Sequence, residues 1–167
     1  MLKELRTLTP YLDFIEACNR DPDYRDPMLL THDQLRRNLL CAPEEADKRV
    51  FGTFEDGTVT GVFAFLVLED ERYLELLAGL SKSAAAYNEL LAHIKSAYPG
   101  YQADFVYNPR NRLLQAALEA LGADFEPEQQ KLILYRRVPY TPDPRIVPYI
   151  PAYRAQYLAL HTGDRYW

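Results

Sequence analysis

The sequence predicts an α+β domain, built on an α/β-type mixed sheet with helices packed on its faces. Three observations predict it. Two β-rich runs, Arg49–Glu55 and Thr58–Leu68, flank Asp56-Gly57, the strongest kind of two-residue hairpin turn. A third run, Tyr73–Leu80, passes through a short polar turn into a helix-periodic stretch and then into an alternating one, Tyr101–Tyr107, so that a crossover helix joins two parallel strands. Helix start and stop signals punctuate the remainder.

In chain order, Lys3–Leu8 reads as a short first strand. Thr9 then caps a helix whose first position is Pro10 and whose inner stripe is Leu12, Ile15 and Cys18. Asn19–Pro27 is polar and proline-punctuated, hence a loop. Thr31-His32-Asp33-Gln34 has the form of a capping box, and its helix carries Leu35 and Leu39 one turn apart before stopping near Ala42-Pro43. The period then shortens for the three-stranded meander, with Gly61 a candidate bulge and Glu69–Arg72 a charged turn. Ser81 or Ser83 starts the next helix, with Tyr87, Leu90, Leu91 and Ile94 on one face and Pro99-Gly100 at its end. In Tyr101–Tyr107, positions Tyr101, Ala103, Phe105 and Tyr107 share a side. Asn108 is read as the cap of a further helix, Pro109 as its first residue, Leu113, Leu114, Ala117, Leu118 and Leu121 as its stripe, and Gly122 as its C-terminal cap. Gln130–Val138 is the last predicted strand, which brings the expectation to about six to seven strands with four helices over residues 1–138.

Beyond Val138 the texture changes. Pro139, Pro142, Pro144, Pro148 and Pro151 imply an extended linker over the start of 139–167, and Tyr153–His161 a short amphipathic helix. The aromatic terminus, Tyr166-Trp167, wants burial. Either the tail packs on its own domain or a second copy as a dimerisation element, or it begins a second domain.

Composition narrows the function classes. The chain has 167 residues, enough for one full core, and is 48% hydrophobic. Its 24 acidic and 19 basic side chains give a net charge of −5, which argues against nucleic-acid binding. The longest apolar run, about Val62–Leu68, is too short to cross a membrane, and MLKELRTL lacks a signal-peptide core. Cys18 and Cys41 have no metal-ligand spacing and sit in apolar helical contexts, so both are read as buried free thiols and the protein as cytoplasmic. His32, His93 and His161 show no metal spacing either, so no metal is expected. His93 is read as a packing or surface residue.

The element order, read with Glu75–Leu91 (ELLAGLSKSAAAYNELL), resembles the GCN5-related N-acetyltransferase (GNAT) family over roughly residues 1–138. Phe105-Val106-Tyr107-Asn108, the helix after it and Leu121-Gly122-Ala123-Asp124-Phe125 are similar to the family's fifth strand, fourth helix and following leucine-glycine turn. The resemblance implies acetyl transfer from acetyl-CoA to a small-molecule or peptide amine, with the cofactor lying where the fourth and fifth strands splay apart. It implies that Leu77 and Gly79 on the fourth strand meet the pantetheine arm. Ser81, Lys82 and Ser83 would meet the pyrophosphate at the next helix N-terminus, where free N–H groups favour anions, and Asn108 would hydrogen-bond the cofactor. Glu75 is the candidate proton acceptor; its bland alternative is a solvated strand residue, and that of Asn108 is a helix cap. Arg110 and Arg112 are candidates for meeting an anion against a solvated-face alternative. Two departures imply a degenerate copy. The turn lacks the glycines that let a backbone approach two phosphates, and Leu118 stands where many members place a general-acid tyrosine. A degenerate copy is expected to be the front half of a tandem pair, or a non-catalytic interaction module; the third alternative is an active but atypical acyltransferase that uses Ser81, Lys82 and Ser83 in place of the glycines.

Overall fold

The computed structural model describes residues 1–127, 144, 145, 148 and 150–160. They divide into two compact units, Met1–Lys131 and Leu132–Trp167. In the second unit a single turn, Pro151–Tyr153, leads into a helix at Arg154–Leu160. The predicted strand Gln130–Val138 lies outside the described residues.

The first unit is α+β, as the sequence predicts. Strands β1 (Leu2–Glu4), β2 (Lys48–Glu55), β3 (Thr58–Leu68), β4 (Tyr73–Ser81) and β5 (Gln102–Phe105) form one sheet in the order β1-β2-β3-β4-β5. All neighbours are antiparallel except β4 and β5, which run parallel because helix α3 (Ala84–Ala97) crosses between them. The β2–β3 turn is the expected hairpin: Asp56 and Gly57 both take positive φ, 49° and 80°.

Helices cover both faces and define two cores. On one face Phe63, Phe65, Leu74 and Leu76 meet Tyr87, Leu90, Leu91 and Ile94 of α3 and Leu114, Ala117 and Leu118 of α4 (Arg112–Ala120). On the other, Val62, Ala64, Ala78 and Leu80 meet Ile15 and Cys18 of α1 (Leu12–Arg20), and Leu39. Leu39 follows α2 (His32–Leu35), within the wide turn Arg36–Leu40 that prolongs this helix. The Thr31 capping box is present, with Thr31 Oγ1 accepting from Gln34 N–H and Gln34 Oε1 accepting from Thr31 N–H.

The β3–β4 ladder carries a bulge. Ala64 pairs with Ala78 and Phe65 with Leu76, so Leu77 has no opposite number. That extra residue reverses the alternation of β4: Leu74 and Leu76 enter the α3 core, Ala78 and Leu80 the α1 core.

Several expectations are corrected. The first strand ends at Glu4, because Leu5 and Leu8 turn into the α1 core. Thr9 does not cap α1 but lies within a single turn, Thr9–Tyr11, ahead of it, and Leu12 is exposed. The bulge beside Gly61 is at Thr60, since Thr53 pairs with Gly61 and Phe54 with Val59. The cap of α4 is Asn111, whose Oδ1 accepts from Leu114 N–H, and Asn108 instead closes a local turn with Arg110 N–H. Leu121 is exposed because the helix has already ended, with Gly122 at φ +72° closing it as predicted. His93 packs its ring on Phe51 at 4.9 Å.

Candidate functional site

Strands β4 and β5 share four rungs, from Tyr73↔Gln102 to Leu76↔Phe105, and then separate. β4 continues alone through Ser81. Gly79 and Ser81 are two apart, so their backbone polar groups face the same side of the strand. That side faces away from β3: Gly79 N–H donates to Asp26 Oδ2 at 2.7 Å, and Ser81 C=O accepts from Tyr87 Oη at 3.0 Å. A Cβ at Gly79 would sit 2.8 Å from Leu76 Cδ2, so a larger residue there requires the Leu76 side chain to shift.

The turn into α3 is a single residue, Lys82, between the end of β4 and the helix cap. Ser81 Oγ donates to Thr60 C=O at 2.6 Å and accepts from Ser83 N–H at 3.0 Å. Ser83 Oγ accepts from Ala86 N–H as the N-cap of α3. Both hydroxyls are therefore committed to the chain itself. Tyr87 locks the junction from below. Its fully buried hydroxyl also accepts from Asn111 Nδ2 at 2.7 Å, tying β4, α3 and α4 together, and burial raises its pKa above the ordinary tyrosine range.

The opening beyond Leu76 and Phe105 is crossed by the chain's own segment Asp21–Met28. Lys82 Nζ meets Asp21 Oδ2 at 2.6 Å and lies 5.4 Å from the centre of the Tyr24 ring. This hydrogen bond holds the Asp21 carboxyl below the usual range and lifts the Lys82 ammonium above its own. Asp26, 3% exposed, takes the Gly79 N–H with one oxygen and Met28 N–H with the other at 2.7 Å. Asn108 Nδ2 donates to Pro22 C=O at 2.8 Å and to Arg25 C=O at 3.2 Å. Arg110 stands 4.0 Å from Asp23, and Arg112 instead donates to Gln115 Oε1. Asn19 braces the segment from α1, accepting from Asp26 N–H and donating to Leu29 C=O. Under it, burial pushes the Cys18 thiol up to about 11.

The structure thus brings Gly79, Ser81, Lys82, Ser83 and Asn108 around one opening. Leu77, the bulged residue, is buried on the α1 side. Glu75 lies one residue before the last shared rung, opposite Asp104 in the parallel register. Leu118, at the position the resemblance gives to a general acid, is buried in the α3 core. Sequence reasoning misses Asp21, Asp26, Tyr87 and Asn111 as site residues. The Asp-Pro dipeptide Asp26-Pro27 signals a turn, but nothing local points across to Gly79.

As folded, these residues do not fit acetyl-CoA. The Gly79 donor goes to Asp26, the Lys82 charge is matched by Asp21, and both serine hydroxyls are used within the turn. Among the described residues, no group of three His, Cys, Asp or Glu is placed to hold a metal ion, and no helix is long and apolar enough to cross a membrane.

No protein-family model matches the chain, and no curated protein matches it. Solved structures similar to it include an aminoglycoside acetyltransferase from an uncultured soil metagenomic sample in complex with trehalose, at 11% identity and a TM-score of 0.49 over 83% of this chain and 96% of that one. AAC(6')-Iy in complex with the bisubstrate analog CoA-S-monomethyl-acetylneamine is similar at 14% identity and a TM-score of 0.48, covering 83% and 97%. The protein TTHA1254 of Thermus thermophilus is similar at 19% identity and a TM-score of 0.48, covering 83% and 99%.

Proposed function

We propose that the first unit, Met1–Lys131, is a GNAT-type N-acetyltransferase-like domain, whose family chemistry is acetyl transfer from acetyl-CoA to an amine, and that this copy is degenerate and closed at its cofactor position. One observation carries the reading. The parallel pair β4–β5 parts after Leu76 and Phe105, directly ahead of the N-terminus of α3. That is where the resemblance puts the cofactor. The degenerate half of the proposal is supported by the one-residue turn at Lys82, by Leu118 in the core and by the segment crossing the opening. No transfer step is assigned to these residues; Glu75 is kept as the candidate proton acceptor for any residual transfer.

Thiol release from acetyl-CoA, measured with the full chain and a panel of amines, tests this. Release at the rate of the enzyme-free control is expected. Robust turnover that Glu75→Gln removes would refute the degenerate reading and establish Glu75 as catalytic.

A non-catalytic association role is the second reading. Val106, Leu121 and Phe125 are exposed around the end of β5 and α4, at 43%, 50% and 46%. A second copy, or a second domain of the same kind, is the partner this reading names. The mass in solution of the chain with and without residues 139–167 tests it; the mass of a single chain for both forms refutes it.

A further inference from the structure

We propose that Asp21–Met28 is a built-in strap that competes with a CoA-class ligand for the opening between β4 and β5, so that the ligand binds only with the strap withdrawn. The inference rests on reading that opening as a cofactor position.

The strap meets three separate elements, and at each it presents oxygen to a donor. At the β4 edge a carboxylate oxygen of Asp26 takes the Gly79 N–H. Beyond β5, the carbonyls of Pro22 and Arg25 take the Asn108 amide. At the β4–α3 turn the Asp21 carboxylate takes the Lys82 ammonium. An acylated pantetheine phosphate would present the same kinds of group: amide carbonyls to a strand edge and to an asparagine, and an anion to a lysine beside a helix N-terminus. The strap is therefore a chemical stand-in for such a ligand, with carboxylates in place of an amide and a phosphate.

Its anchors differ in strength. The Lys82–Asp21 pair and the Asn108 amide are partly exposed, where pairs contribute little and exchange readily with water. Asp26 is buried and holds Met28 N–H as well. The Asp21–Arg25 part can lift first, and full withdrawal also requires Asp26 to release Gly79. The apparent dissociation constant of a ligand is its intrinsic one divided by the fraction of molecules with the strap withdrawn. Weakening an anchor from the strap's own side, at Asp21 or Asp26, raises that fraction and tightens binding.

The experiment is calorimetric titration of the full wild-type chain, Asp21→Ala and Asp26→Ala with acetyl-CoA, with amide hydrogen exchange at Gly79 reporting the strap. Both substitutions alter the strap and leave Gly79, Lys82 and Asn108 in place for the ligand. Both variants are expected to bind about tenfold or more tightly than wild type, and Gly79 to exchange faster in Asp26→Ala. Asp21→Ala, at a partly exposed pair, decides the matter even where Asp26→Ala fails to fold. Saturable binding by wild type that the variants leave unchanged or weaken overturns the strap and keeps the cofactor position. No binding by any folded protein, Asp21→Ala included, overturns the cofactor position and the strap with it.

Discussion

Replacing Tyr87 with Phe removes one oxygen and nothing else from the junction of β4, α3 and α4. The ring remains, 5.7 Å from Phe63 between centroids, so no cavity of consequence opens. What is lost is the donor to Ser81 C=O and the acceptor of Asn111 Nδ2, both in a site from which water is excluded. Each stranded partner costs about 1–3 kcal/mol, and a modest relaxation of the Asn111 side chain offsets part of this. The sum is a destabilisation of about 2–4 kcal/mol, a large share of a typical domain's stability. Urea denaturation is the assay, with an unchanged m-value and a lowered midpoint expected. The sign with pH follows from the raised pKa of Tyr87. The stabilisation from keeping this phenol neutral is fully present below about pH 10, the ordinary tyrosine value, and is lost as pH rises toward the folded value. The gap between variant and wild type should therefore narrow in strong alkali. A midpoint shift worth under about 0.5 kcal/mol at pH 7 would refute the reasoning, since that is the range of a surface substitution.

Gly61→Ala should cost about 1–3 kcal/mol by overpacking, because the new Cβ would lie 2.6 Å from the buried Phe63 ring and 2.7 Å from Thr53 Oγ1; a thermal melt indistinguishable from wild type would contradict this. Gly57→Ala meets no atom within 4 Å and should cost only the strain of its positive φ, about 1–2 kcal/mol, checked in the same melts. The buried Cys18 thiol, held neutral by its surroundings, stabilises the fold below its unfolded value of about 9. That contribution fades as pH rises through about 11, so Cys18→Ala should flatten the alkaline loss of stability in guanidinium melts at pH 8 and pH 10. Lys82→Ala should return the Asp21 carboxyl toward the ordinary aspartate range, read by carbonyl chemical shift against pH; an unmoved titration would show that the pair does not form in solution.

Local chemistry announced itself where a few adjacent residues decide the geometry. Asp56-Gly57 could only be a tight hairpin, Thr31 with Gln34 a box, and Tyr87, Leu90, Leu91 and Ile94 a buried helical face, and each is so in the structure. Boundaries set by packing were less readable. Leu5 and Leu8 look like strand residues, yet the α1 core takes them out of the strand. Asn108-Pro109 carries a stronger local cap signal than Asn111, but Asn111 also has Tyr87 to bind, and that tertiary bond comes with the later start. The bulge at Leu77 has no glycine to mark it. The candidate opening was legible as a strand–turn–helix, but what crosses it was not. The Asp26–Gly79 bond spans 53 residues, and no periodicity or turn signal reports a contact at that distance.

The bulge at Leu77 makes β4 behave as a seam between two halves of the molecule. Because one strand supplies Leu74 and Leu76 to one core and Ala78 and Leu80 to the other, neither core can come apart without loosening the other's central strand. The first unit should accordingly melt as a single cooperative body, with β4 amides on both sides of Leu77 exchanging only through global opening. The same arrangement makes β4 sensitive to where its length changes. Deleting Leu77 would restore regular pairing with β3 and leave Ala78 and Leu80 facing α1, losing only Leu77 from that core, whereas a deletion that keeps the bulge would turn the residues on one side of it to the wrong face and should be far more damaging.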